Sequence, residues 1–343
     1  MNDTFSEFME FLKKNRDAIR DDLLMPYDSP RRMLYSEVFR RNYITEIPEV
    51  PFGKEIAATD STETVRELYN GKKLILIRSY SVLGTHRYAS FIPLVISVGR
   101  DDVQRFLTML MEHSEHMSML KLLEERKPDY LLVDGSISGR INRQKRPLVA
   151  EGYEKFHEEY SDKLSKLLDR SAELGIPLVF MAKSSESRVF REFLLQELGR
   201  TKLQEDIIRA EHETRLNDHY LVKSLASSAG YTKPLAQRAS LRTTSGEKEY
   251  TYNTTHLLPD PKDLPVKMDV YSGEDGIIGD DILSLAFWGY GDIKVHNIWL
   301  ADADRLVKFR NDEVEGIYMR AFEKEIGISL YETRGERRAR IRI

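Results

Sequence analysis

Tyr130-Leu131-Leu132-Val133-Asp134-Gly135-Ser136 decides how the rest of the chain is read. Four apolar, strand-favouring residues end on a carboxylate, and Gly-Ser then turns the chain away. A buried central strand delivers an acid to the edge of a sheet in this way. Upstream, Ile56-Ala57-Ala58-Thr59-Asp60-Ser61-Thr62 repeats the arrangement: a short apolar run, an aspartate, then small hydroxyl residues. Two strand-end aspartates on separate strands are the core requirement of a site that holds divalent cations over a phosphodiester.

Working outward, the elements expected around this pair follow an order. Asn70-Gly71 supplies the positive φ angles of a tight hairpin turn. It separates the Asp60 strand, taken to end at that residue, from an apolar strand over Leu74–Val82, with a third over Phe91–Val98. A long helix over Asp102–Glu125, closed by Pro128, leads into the Asp134 strand. Beyond it come a basic polar loop (Ser138–Pro147), a helix (Tyr153–Leu174) stopped by Gly175-Ile176-Pro177, and a buried strand ending at Lys183. Short helices are expected at Arg188–Glu197 and His219–Ser228. Strands are expected at Val266–Tyr271, Ile282–Tyr290, Ile293–Asp302 and Arg305–Phe309, then a helix over Asp312–Ile326.

Three antiparallel strands, a helix, then parallel strands and helices is the order of a ribonuclease H-like α/β domain. The fold class is therefore a mixed sheet with flanking helices, over residues 51–343. Residues 1–50 form an N-terminal helical extension, because Phe5, Phe8, Phe11, Leu12 and Ile19 recur at helical spacing and Pro48 and Pro51 mark a linker.

Composition limits what such a domain does. The chain has 343 residues, enough for a large core, and a net charge of only −4, so any nucleic-acid contact must come from local clusters. It has no cysteine, which excludes disulfides, zinc-thiolate sites and thiol nucleophiles. No signal peptide and no membrane-spanning run are expected, which fits a cytoplasmic protein.

Each candidate has a plainer reading. Asp60 or Asp134 alone is an ordinary turn-former after a strand; both together in this strand order favour a cation site with Mg²⁺ or Mn²⁺. His113 and His116, three apart without a further soft ligand, read as helix-surface or site-edge residues. Lys183 is either a point charge for a phosphate or a polar residue entering a loop. Asp302 and Asp304 are further carboxylates for which a turn role is the simpler assignment. Arg140, Arg143, Lys145 and Arg146 follow Asp134 closely and are the better basic cluster for DNA, ahead of Arg188 and the tail Arg334–Arg342. No Gly-rich loop ending Gly-Lys-Ser/Thr is present, so motor activity would need a partner. The lack of glycine-rich phosphate loops also argues against a sugar-kinase or acetate-kinase relative.

The ordered series from Asp60-Ser61 through Asn70-Gly71 and Leu131–Ser136 to Pro177–Ser184 and Gly230-Tyr231-Thr232-Lys233-Pro234 resembles the NurA nucleases, over about Ile56 to Leu300. That resemblance implies a Mn²⁺- or Mg²⁺-dependent deoxyribonuclease that resects DNA ends 5′ to 3′. It implies a homodimer working with HerA, a hexameric translocase. It implies that a helix glutamate, Glu115 with Glu112 as competitor, completes the acidic cluster. It also implies that Tyr290 and His296 complete the active site. The interval between those two is short and lacks the family's prolines. The alternative is a non-catalytic ribonuclease H-like DNA-binding or scaffold subunit that docks on a translocase.

Overall fold

The computed structural model describes residues 3–49, 53–143, 150–200, 205–273 and 278–327. Among the described residues, one mixed sheet of ten strands runs through the molecule. β2 (Ile56–Glu67), β3 (Lys73–Leu83) and β4 (His86–Ile96) are joined as antiparallel hairpins, with β4 at one edge, and β5 (Tyr130–Asp134) and β6 (Leu178–Ala182) run parallel to β2. The sheet continues antiparallel from β6 into β10 (Val266–Tyr271) and β9 (Gly246–Leu258), with β1 (Tyr43–Ile44) and β7 (Gly230–Thr232) at one margin. β8 (Leu235–Thr243) folds back on β9.

Helices cover both faces. On one, α3 (Val103–Glu125) and α5 (Phe156–Leu174) bury Phe106, Leu110, Leu122, Leu164 and Leu168 against Ala57, Ile75, Leu131, Val133 and Phe180. On the other, α9 (Asp280–Trp288) and α10 (Ile298–Val307) pack Ile282, Leu285, Leu300 and Ala303 against Ala58, Leu132, Val179 and Met268. The alternation of adjacent strand residues between the two clusters is the period-2 signature of a sheet buried on both sides.

A third cluster builds the N-terminal segment into the body. α2 (Pro30–Arg41) buries Leu34, Tyr35, Val38 and Phe39 against Phe190 and Leu194 of α6 (Val189–Gly199), Leu221 and Val222 of α8 (Asp218–Leu225), and Leu258. In contrast, α1 (Asp3–Leu24) leaves Phe5, Phe8 and Phe11 about half exposed.

Several sequence expectations are corrected. The strands expected over Ile282–Tyr290, Ile293–Asp302 and Arg305–Phe309 are the helices α9 and α10 and the turns around them. Short apolar runs do not separate strand from buried helix by periodicity. The local signals decide instead: Asp280-Asp281 fill the first turn of α9, and the buried Asn297 caps α10 by accepting from Trp299 N and Leu300 N, each at 3.1 Å. The strand carrying Asp60 runs on for seven residues to Glu67, because β3 pairs with it throughout. The loop after Asp134 begins as a short helix, α4 (Ile137–Asn142), capped by the Ser136 hydroxyl, which accepts from Gly139 N at 3.1 Å. The β8–β9 hairpin was not among the expected elements. Lys145, Arg146 and the tail Arg334–Arg342 lie outside the described residues.

Candidate active site

The register of β2 on β5 pairs Ile56 with Tyr130 and Thr59 with Val133, so the next step along both strands sets Asp60 beside Asp134. β5 stops there. Gly135 takes φ +98°, a left-handed conformation open to glycine, and donates its N–H to Met181 O at 3.0 Å, which turns the chain out of the sheet. β2 continues alone on that side, leaving a notch where groups from both faces of the sheet meet.

From the α3 face comes Glu115. Alternation along β2 turns Thr59 and Ser61 towards α3, where Thr59 Oγ1 lies 2.7 Å from Ser81 Oγ and Ser81 Oγ 2.9 Å from Ser118 Oγ. Ser61 Oγ donates to Glu115 Oε1, and Arg140 Nη2 donates to Glu115 Oε2. Glu115 is therefore buried beside Asp60, and its competitor is placed elsewhere. Glu112 accepts from Arg143 Nε and Nη2 at 3.2 and 3.1 Å and from the Tyr160 hydroxyl at 2.6 Å, towards α5.

The acids lie close enough to act on one another's ionisation. Burial pushes the Asp60 carboxyl up to about 8, and repulsion by Glu115, Asp134 and Asp304 adds to this against one favourable contact from Ser61 N–H. Lys183 Nζ stands 3.5 Å from Asp134 Oδ2 at the end of β6. His296, nearly buried just before the α10 cap, is driven down to about 4 by burial and by Lys183, with Asp134 and Asp263 pulling the other way. It is neutral at physiological pH, and its Nε2 finds no hydrogen-bond partner among the described residues.

Tyr290 sits on the rim. Its hydroxyl donates to Asp263 Oδ2 at 3.0 Å, and burial together with that carboxylate pushes it up to about 12. The structure thus brings Asp60, Glu115, Asp134, Lys183 and His296 within electrostatic reach of one another, with Tyr290 beside them through Asp263. It also adds Ser61, which sequence reading gave no role, and corrects the turn role expected of Asp304, which lies within α10. Ser61 reaches Glu115. Asp304 of α10 reaches Asp60 and pairs with Lys308 at 2.6 Å, an i,i+4 spacing that is itself a helix signal. The expected surface role of Arg140 is replaced: it is 2% exposed and points inward. His113 and His116 are not a metal pair, since His113 lies 3.5 Å from Glu159 Oε1 and His116 faces Arg140.

The donor set is all oxygen plus one neutral imidazole, which fits a hard divalent cation. Among the described residues no three acidic or histidine side chains are yet drawn together tightly enough to enclose an ion. The raised Asp60 carboxyl reflects burial first and the neighbouring carboxylates second.

A model of the NurA domain matches residues 54–309, which is most of the chain. The chain belongs to the NurA family. Its fold is that of the NurA nuclease from Sulfolobus solfataricus: TM-score 0.64 at 15% identity, covering 97% of this chain and all of that one. A NurA bound to dAMP and manganese aligns with TM-score 0.55 at 11% identity over 98% of this chain and 99% of that one. A NurA with manganese gives 0.52 at 12% over 91% and 97%. No curated protein matches. No helix among the described residues is long and apolar enough to cross a membrane.

Proposed function

We propose that this NurA-family chain is a metal-dependent deoxyribonuclease that processes DNA ends. The observation that carries this reading is the placement of Asp60, Asp134 and Glu115 at one notch of the sheet, where burial, and then its acidic neighbours, push Asp60 up. Mn²⁺ or Mg²⁺ held by Asp60, Asp134, Glu115 and His296 would supply the charge that neutralises the carboxylates and polarises a phosphodiester for in-line attack by water.

The chain's own residues do the rest. Asp60 and Asp134 fix the site on rigid neighbouring strands, and Glu115 closes it from α3. The Lys183 ammonium, more than half exposed, meets a scissile phosphate as a mobile point charge. His296 is neutral, so Nε2 can ligate or take a proton near the departing oxygen. Tyr290, held by Asp263, positions the strand at the rim. Arg143, one-third exposed, and Lys145 are the remaining basic candidates for phosphate contact.

Family membership supports the finer reading: 5′ to 3′ exonuclease and single-strand endonuclease activity in double-strand break repair, as a cytoplasmic homodimer working with a HerA-type hexameric translocase. The test is end-labelled DNA incubated with purified protein and Mn²⁺, with EDTA as control. Metal-dependent shortening that disappears in Asp134→Asn supports the enzyme. Binding without cutting would support the non-catalytic scaffold subunit and sink the proposal.

A further inference from the structure

Arg140 is a buried guanidinium, only 2% exposed. Its Nη2 donates to Glu115 Oε2 and, at 2.9 Å, to the backbone carbonyl of Asp134. Its Nη1 is 3.0 Å from His116 Nε2. A guanidinium only donates, so Nε2 accepts and the His116 proton resides on Nδ1. The guanidinium carbon also lies 5.6 Å from the centre of the Phe180 ring on β6. One planar group therefore ties α3, the end of β5 and the inner face of the sheet to the carboxylate of Glu115.

The two oxygens of that carboxylate are held differently. Ser61 holds Oε1 through a hydroxyl, which rotates about one bond and can turn its hydrogen elsewhere. Arg140 holds Oε2 through a fork fixed at three acceptors, which cannot leave without breaking all of them. Oε1 is the oxygen that can be released.

We propose that Arg140 is the positioning residue of this site. It retains Glu115 Oε2 so that Oε1 is presented to the cation, and it touches neither cation nor DNA. The inference rests on the metal-nuclease reading above and assigns a role to a residue which that reading does not use.

The test is Mn²⁺ binding by the full-length protein without DNA, followed by electron paramagnetic resonance of free Mn²⁺, with circular dichroism to verify folding. Arg140→Gln should weaken Mn²⁺ binding by about 10–100-fold, the usual effect of losing a group that orients a ligand. Arg140→Lys should fall between, because an ammonium keeps the charge and loses the fork. The rate at saturating Mn²⁺ should fall less than the apparent Mn²⁺ affinity. A folded Arg140→Gln with wild-type Mn²⁺ affinity overturns the proposal. Where that variant does not fold, wild-type affinity in Arg140→Lys overturns it equally. Wild-type protein that neither binds Mn²⁺ nor cuts DNA would defeat the nuclease reading and this inference together. Wild-type protein that does both, beside unaffected Arg140 variants, would defeat the inference alone.

Discussion

Lys183 Nζ and Asp134 Oδ2 form a 3.5 Å ion pair at the mouth of the site, with both side chains partly exposed. An exposed pair of this kind adds little to stability, so its value lies in where the ammonium can go. A cation on Asp134 would release Lys183 towards a phosphate. Lys183→Met should therefore leave Tm unchanged, leave Mn²⁺ affinity equal or slightly tighter, and lower the cleavage rate by about 100-fold, the lower end of what removal of one preorganised electrostatic contact costs. A weakened Mn²⁺ affinity in this variant would show that Lys183 instead helps to build the metal site.

The helix acids provide the sharpest discrimination. Glu112 and Glu115 are one turn apart on α3, but Glu112 is neutralised by Arg143 and Tyr160 while Glu115 closes the notch. Glu115→Gln should cut Mn²⁺-dependent cleavage by at least ~100-fold, the upper range for groups one step further from a metal. Glu112→Gln should retain more than about a tenth of the activity. Equal losses in DNA cleavage assays would mean that α3 is placed wrongly relative to the metal.

The pair Asp60 and Asp134 was legible because each ends an apolar run on a strand, and strand order does the rest. Glu115 was less legible. Its neighbours His113, Ser114 and His116 are polar, and polarity along a helix reads as a solvated face. In the fold all four residues are buried; Glu115, Ser114 and His116 meet partners from distant positions such as Ser61, Ser79 and Arg140, while Nδ1 of both histidines has none among the described residues. Arg140 itself read as a phosphate contact because a buried guanidinium leaves the same trace in sequence as an exposed one. The α9 and α10 region failed for another reason. Ile282–Trp288 is apolar nearly all round, and a run of that length fits a buried strand as well as a helix buried against the sheet.

The raised Asp60 carboxyl makes stability depend on pH. Its value of about 8 in the folded chain lies above its ordinary 3.8, so the folded state favours the protonated form. That contribution is fully present below about pH 4 and is lost as pH rises through 8. In EDTA, thermal melts of Asp60→Asn and wild type should diverge with rising pH, the variant gaining on the order of a few °C between pH 5 and 9. Mn²⁺ should stabilise wild type, and its affinity should rise up to tenfold per pH unit below pH 8, because binding displaces the Asp60 proton. A melting-temperature gap flat across this range would contradict the assignment of a buried, protonated carboxyl.

Asn297 connects local structure to the reacting groups. It is fully buried, its side-chain oxygen accepts from Trp299 N and Leu300 N, and it directly follows His296. The cap therefore sets where the imidazole emerges from the α9–α10 connection. Asn297→Ala should cost about 1 kcal/mol of stability, the ordinary loss for an N-cap. It should also reduce cleavage, because an imidazole displaced by about 1 Å can cost a hundredfold in rate. Asn297→Ser restores a capping oxygen and should recover both. If activity returned in Asn297→Ser while stability did not, or the reverse, the cap and the imidazole would be acting independently. Geometry at this helix start would then not be what brings His296 to the carboxylates.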